Sequence, residues 1–199
     1  MKRYKQNEVD ELANILKKDG VISVPTDTVY GVCARINSIE AKNNLIKVKN
    51  RPEEKLFPIM CADEKQIKEI AVVNEKAESL IRKFMPGPIT LVLIKKQSVP
   101  EFVNNGRSTI AVRMATSDSL KELILKVGSP IFMSSANKSG KPACTNLDEI
   151  EKMCPEVDGM MEGDVNFGMP STIVDCTGDD ITILREGPIS KEEILKALK

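Results

Sequence analysis

The sequence predicts an α/β domain built on a mixed, twisted sheet. Three observations lead there. Helix-like and strand-like apolar periodicities alternate from one end of the chain to the other. The composition, 41% hydrophobic and 29% charged, is an ordinary globular balance with enough apolar material for a sizeable core. No internal repeat or low-complexity segment interrupts the 199 residues and no linker divides them, so a single domain over 1–199 is expected.

The elements follow in order. Residues 8–18 place Val9, Leu12, Ala13, Ile15 and Leu16 at helical spacing, and Gly20 stops that helix. Residues 21–24 read as a strand running into Pro25. A helix spans 38–49, with Ser38 suited to its N-cap and Ile39, Leu45 and Ile46 expected inward. Residues 56–60 read as a short strand in which Pro58 implies an edge or a bulge. Helices are expected near 64–71 and 74–84. Pro86-Gly87-Pro88 then breaks the chain before strands over 89–94 and 108–114.

Leu120, Leu123 and Ile124 mark one face of a helix over 117–127. Residues 130–134 form a strand and 147–153 a helix. Thr172–Asp175 and residues 181–185 read as a final strand pair around a turn at Gly178. Ser190 with Glu193 forms a capping-box pattern for the last helix. The Gly- and Pro-containing stretch 155–170 is the expected mobile loop.

The bulk numbers exclude several classes. There is no histidine, which removes a Ser-His-Asp triad, a Cys-His pair and any His-ligated metal. The formal net charge is zero, whereas a generic nucleic-acid binder would carry excess Lys and Arg. Any anion site must therefore be a local cluster. The five cysteines are odd in number and form no CxxC, so they read as reduced core thiols of a cytoplasmic protein. No signal-peptide pattern and no apolar run long enough to span a membrane are found.

Three polar motifs sit where regular elements end. Pro25 to Gly31 is rich in hydroxyls, with Thr26, Thr28 and Tyr30 suited to a pocket and Asp27 to it or to capping a turn. Lys49, Arg51 and Lys55 cluster around a helix end. They suit phosphate or carboxylate, or a solvated surface paired with Glu53 and Glu54. Ser135, Asn137, Ser139 and Gly140 follow a strand, as a phosphate or ribose cradle or as an ordinary polar turn. That stretch is not a Walker A loop, because its first glycine is missing. Thr109 and Arg113 lie four apart on one strand and share a face. Arg113 needs either a structural carboxylate or an anionic ligand if buried. Ser171 and Arg185 lie on or beside the two final strands and are expected to face each other, with Asp175 as an alternative partner for Arg185.

These motifs, together with Pro86-Gly87-Pro88, Thr90 and Arg185-x-Gly187, resemble in order and spacing the YrdC/TsaC family of L-threonylcarbamoyladenylate synthases, from about residue 8 to 189. The resemblance implies an open, twisted YrdC-like α/β sheet with flanking helices and a basic concave face, in the short form of the family. It implies formation of threonylcarbamoyl-AMP and pyrophosphate from L-threonine, bicarbonate or CO2, and ATP with Mg2+, for threonylcarbamoyladenosine modification of tRNA. Thr28, Arg113 and Ser171 are then expected to hold threonine. Lys49, Arg51, Lys55, Thr109, Ser135, Asn137 and Arg185 are expected to hold ATP, with Lys49 and Arg51 also catalytic and no protein-held metal. Met60 stands where some members have His, Ala115 where Pro is common, and Lys55 where many have Asn. Expected partners are downstream threonylcarbamoyl transferase proteins and weakly bound tRNA. The alternative is an RNA-binding module using the same basic face, although 4% aromatics and no Trp suit base stacking poorly.

Overall fold

The computed structural model describes residues 1–166 and 168–198. Its strands are β1 (Arg3–Tyr4), β2 (Ile22–Val24), β3 (Gly31–Arg35), β4 (Ile59–Cys61), β5 (Ala71–Val72) and β6 (Ile89–Lys95). They continue with β7 (Thr109–Met114), β8 (Ile131–Ser135), β9 (Gly159–Met161), β10 (Thr172–Asp175) and β11 (Thr182–Arg185). The helices are α1 (Val9–Lys17), α2 (Ile39–Lys49), α3 (Glu64–Ile70), α4 (Glu75–Phe84), α5 (Asp118–Val127), α6 (Leu147–Met153) and α7 (Lys191–Lys196).

All the strands join one mixed sheet in the order β1-β9-β2-β3-β8-β4-β7-β6-β10-β11, with β5 pairing β6. Strand alternation sends neighbouring side chains to opposite faces. Val32 and Ala34 of β3 enter one apolar core and Cys33 the other; Ile59 and Cys61 of β4 are parted from Met60 in the same way. The larger core is closed by Leu45 and Val48 of α2, Ile67 of α3, Leu80 and Ile81 of α4 and Ile194 of α7. The smaller is closed by Leu12 and Leu16 of α1 and by Leu120, Leu123 and Ile124 of α5. No residue of β6, β7, β10 or β11 contributes to that smaller core. Helices α1 and α5 thus cover only half of their face and leave the other half of the sheet open.

Side-chain caps fix the helix starts. Ser38, Asp63, Asn74, Ser117 and Asn146 each accept a backbone N–H from the first turn, and Ser190 with Glu193 closes a full capping box.

The structure corrects four sequence expectations. Ile39 faces outward at 57% exposure, and α2 instead buries Ala41, Lys42, Leu45, Val48 and Lys49. Two lysines on the inward face break the apolar pattern that would have revealed it. The 56–60 strand begins only at Ile59 and lies inside the sheet between β8 and β7. Pro58 precedes it, and its carbonyl accepts from Met133 N at 2.8 Å. Within 155–170, residues 159–161 form β9, an interior strand parallel to both β1 and β2; residue 167 lies outside the described residues. Finally, β3 follows the Pro25–Gly31 motif directly, where no strand was expected.

Candidate active site

A cleft of about 510 Å³ runs across the open half of the sheet. Strand β7 forms much of its floor, with Thr109, Ala111 and Arg113 facing the cleft while Val112 and Met114 enter the core behind. Among the described residues its lining contains four arginines, Arg51, Arg107, Arg113 and Arg185, and no Asp or Glu. Such a surface suits a ligand with several negative charges.

At one end, Arg113 is 7% exposed. Its Nη2 donates to Asp27 Oδ1 at 2.7 Å and to Gly87 O at 3.2 Å, and its Nη1 donates to Thr28 Oγ1 at 3.2 Å. Burial pushes the guanidinium pKa down, and the Asp27 carboxylate partly offsets this. Arg113 Nε and Asp27 Oδ2 are buried without a partner among the described residues. A buried, unanswered N–H beside hydroxyls fits a carboxylate ligand. Thr90 and Ser171 share a hydroxyl hydrogen bond at 2.8 Å. Arg185 closes this end, donating to the Ser171 carbonyl from Nε at 3.0 Å and from Nη2 at 2.8 Å. Its pKa is lowered by burial and then by the Arg113 charge.

At the other end, local chain geometry separates the two motif cations. Helix α2 ends at Lys49, and Asn50 takes the left-handed conformation, φ 45°, as its C-cap. The reversal sends Lys49 inward and Arg51 toward the cleft. Lys49, 1% exposed, donates to Ser135 O at 2.5 Å and to Asn137 Oδ1 at 2.6 Å. Ser135 Oγ donates to the same Asn137 oxygen at 2.7 Å. Burial, then the Arg51 charge, lowers the Lys49 pKa to about 8. Arg51 lies over the Phe57 ring, 4.7 Å from its centroid, and donates to Lys55 O at 3.0 Å and Leu56 O at 2.6 Å.

The structure therefore gathers Thr28, Arg51, Thr109, Arg113, Ser135, Ser171 and Arg185 around one cleft. Lys49 and Asn137 lie directly behind Ser135 and do not line it. Lys55 is exposed and outside the lining, and contributes its backbone carbonyl to Arg51. Glu53 and Glu54 form no ion pair with Lys49, Arg51 or Lys55 among the described residues. Asp175 accepts from Thr177, not from Arg185. Asp27 caps no turn of its own and is the structural carboxylate that Arg113 required. Sequence reasoning missed Arg107, whose available signal was its place after Asn105-Gly106 and before a strand. All five cysteines are buried and free.

A half-covered mixed sheet with an arginine-lined cleft on its open face defines an α/β protein whose cleft suits an anionic ligand. A family model for Sua5/YciO/YrdC, described as telomere recombination, matches residues 14–187, and the chain belongs to that family. It is similar to threonylcarbamoyl-AMP synthase of Bacillus subtilis, 33% identical over 94% of this chain and 55% of the relative. The synthase of Pyrococcus abyssi is 32% identical over 98% of this chain and 58% of the relative. The chain thus spans a little over half the length of these two relatives. The crystal structure of Pyrococcus abyssi Sua5 complexed with L-threonine superposes with a TM-score of 0.92 at 30% identity, covering 99% of this chain and 60% of that one. Escherichia coli YciO shares the fold, with a TM-score of 0.86 at 24% identity over 97% and 98% of the two chains.

Proposed function

We propose that this chain forms threonylcarbamoyl-AMP and pyrophosphate from L-threonine, CO2 or bicarbonate, and Mg-ATP. One observation carries the reading: Arg113, with Thr28 and Ser171, stands at one end of a carboxylate-free cleft whose other end holds Arg51 and Ser135, backed by Lys49. An amino acid with one carboxylate and a nucleotide with several phosphates match these ends. Two relatives carry the name of this synthase, and Pyrococcus abyssi Sua5 was crystallised with L-threonine, which supports the same assignment.

In this reading Arg113 Nε and Nη1 take the threonine carboxylate, and Thr28 and Ser171 hold the amino acid in place. The neutral amine adds to CO2, gives up a proton to solvent and becomes a carbamate. A carbamate oxygen attacks the α-phosphorus, the bond to the bridging oxygen breaks, and pyrophosphate leaves. The chain's contribution is positioning and charge neutralisation, which needs no histidine. Arg51, backed by Lys49, offsets the charge gathering on the leaving group, and Arg185, at the amino-acid end, faces the phosphate under attack; Thr109, Ser135 and Asn137 orient the nucleotide. Among the described residues no three His, Cys, Asp or Glu side chains converge on a metal site. In this reading magnesium enters with ATP, held by its phosphates.

The product would pass to threonylcarbamoyl transferase proteins acting on tRNA, with tRNA itself bound only weakly. Five free thiols suit a reducing, cytoplasmic setting. Among the described residues, no helix is long and apolar enough to cross a membrane. Pyrophosphate release tests the reading, with threonine and bicarbonate omitted in turn. Release that needs both substrates is expected. Absence of release from folded protein, together with salt-sensitive RNA binding, would replace the synthase with an RNA-binding module.

A further inference from the structure

We infer that Arg107 and Arg51 form a two-arginine clamp on the β- and γ-phosphate end of the nucleotide. The inference rests on the nucleotide reading above. It adds a residue that lies outside every motif of the family resemblance.

Both guanidiniums line the same cleft and touch one short loop. Arg107 Nη2 donates to Glu54 O at 3.5 Å, while Arg51 donates to the next two carbonyls, Lys55 O and Leu56 O. No Asp or Glu side chain pairs with either arginine among the described residues. Two cations on one cleft with no carboxylate paired to them suit an anion that both can reach. A neutral nucleoside offers no such charge, whereas a diphosphate does, with an arginine fork on each side.

The turn that presents Arg107 is built. Asn105 and Gly106 both take positive φ, 54° and 73°. Asn104, 2% exposed, donates from Nδ2 to Arg107 O and, at 2.9 Å, to Thr109 O. The turn is also tied to the loop carrying the other arginine. Asn105 Nδ2 donates to Glu53 O at 2.8 Å, and the buried Lys42 ammonium donates to Asn105 Oδ1 at 2.5 Å and to the Phe102 carbonyl. The backbone of both loops is thus fixed, while among the described residues the Arg107 head is held only by its long contact to Glu54. A rigid base with a lightly held guanidinium at a cleft edge is the arrangement of a ligand contact.

The test compares the full chain with Arg107→Gln and Arg107→Lys, titrating ATP, inorganic pyrophosphate and AMP by calorimetry. The position is exposed, so both variants are expected to fold, and circular dichroism checks this. Arg107→Gln should weaken ATP and pyrophosphate about tenfold or more, leave AMP within twofold, and be partly rescued in Arg107→Lys. Wild-type affinities retained in Arg107→Gln would overturn the clamp. Weaker AMP with unchanged pyrophosphate would also overturn it, by placing Arg107 on the nucleoside. If wild type bound neither ATP nor pyrophosphate, the nucleotide reading itself would fail, and the clamp with it.

Discussion

Lys49 and Asn137 stand 88 positions apart in the chain and meet at 2.6 Å, ammonium to side-chain carbonyl. The contact joins the end of α2 to the loop after β8. It draws Ser135, which shares the Asn137 oxygen, into the wall of the cleft.

Replacing Lys49 by Met should separate function from folding. Pyrophosphate release is expected to fall about a hundredfold or more, the scale for losing one preorganised charge-stabilising group. The melting temperature at neutral pH should stay level or rise, because a buried cation is exchanged for an apolar chain of similar volume. Asn137 keeps the Ser135 hydroxyl as a donor. Steady-state kinetics and calorimetric melts on one preparation check both halves.

The same lysine gives the protein a pH signature. Its folded pKa, about 8, lies below the ordinary 10.5 because burial disfavours the charge. Between these values the unfolded chain binds more protons than the folded one, so stability should rise with pH across that window and level off above it. Activity, which in the proposed reading draws on the ammonium, should decline above about pH 8. Nucleotide binding should draw a proton in at pH 8 to 9. Denaturant midpoints from pH 7 to 10.5, beside Lys49→Met, give the check; the variant should lose the slope.

Asp27→Ala should unfold far more easily than an exposed substitution would. It strips Arg113, 7% exposed, of its carboxylate. Breaking one side of a buried pair costs about 3 to 5 kcal/mol. Asp27→Asn, which keeps an acceptor oxygen, should lose less. Urea denaturation ranks the three proteins, and an Asp27→Ala midpoint equal to wild type would show that the pair does not hold the fold.

Gly187→Ala should damage the amino-acid end from outside the cleft. A Cβ there would sit 2.6 Å from Thr172 N and 2.7 Å from Ser171 C. Those are backbone atoms and cannot swing aside. Overpacking of this kind costs about 1 to 3 kcal/mol. The displaced Ser171 carbonyl is the acceptor for Arg185, so threonine KM should rise more than ATP KM. Initial-rate kinetics with each substrate varied distinguish the two.

Most helices were legible because their signals are local. Ser38 and Ser190 each announce a start, and α5 shows its apolar stripe plainly. Strands β1, β5 and β9 were not, being two or three residues long and held by register with distant partners. No window that short carries a period. Within the site, the hydroxyls and cations around Thr28, Lys49 and Ser135 stood out as polar runs at element ends. The Asp27–Arg113 pair did not, because 86 positions separate its members and the sheet order alone brings them together. Arg107 was hidden for another reason: a single exposed arginine after a turn is ordinary until its loop is seen tied to the one carrying Arg51.

The sheet order also decides when the cleft comes into being. Everything up to Ser135 supplies one wall, while Ser171 and Arg185 arrive with β10 and β11, the last strands to be synthesised. Chains fold progressively as they leave the ribosome. A nascent polypeptide halted before residue 170 therefore has Arg51, Arg107 and Arg113 but lacks the Ser171 and Arg185 wall of the cleft. Substrate that spans both walls favours the finished chain over every truncated form, and stabilises it in proportion to its own concentration. Substrate abundance would then act as a quality filter, protecting complete molecules from proteolysis while leaving aborted ones exposed.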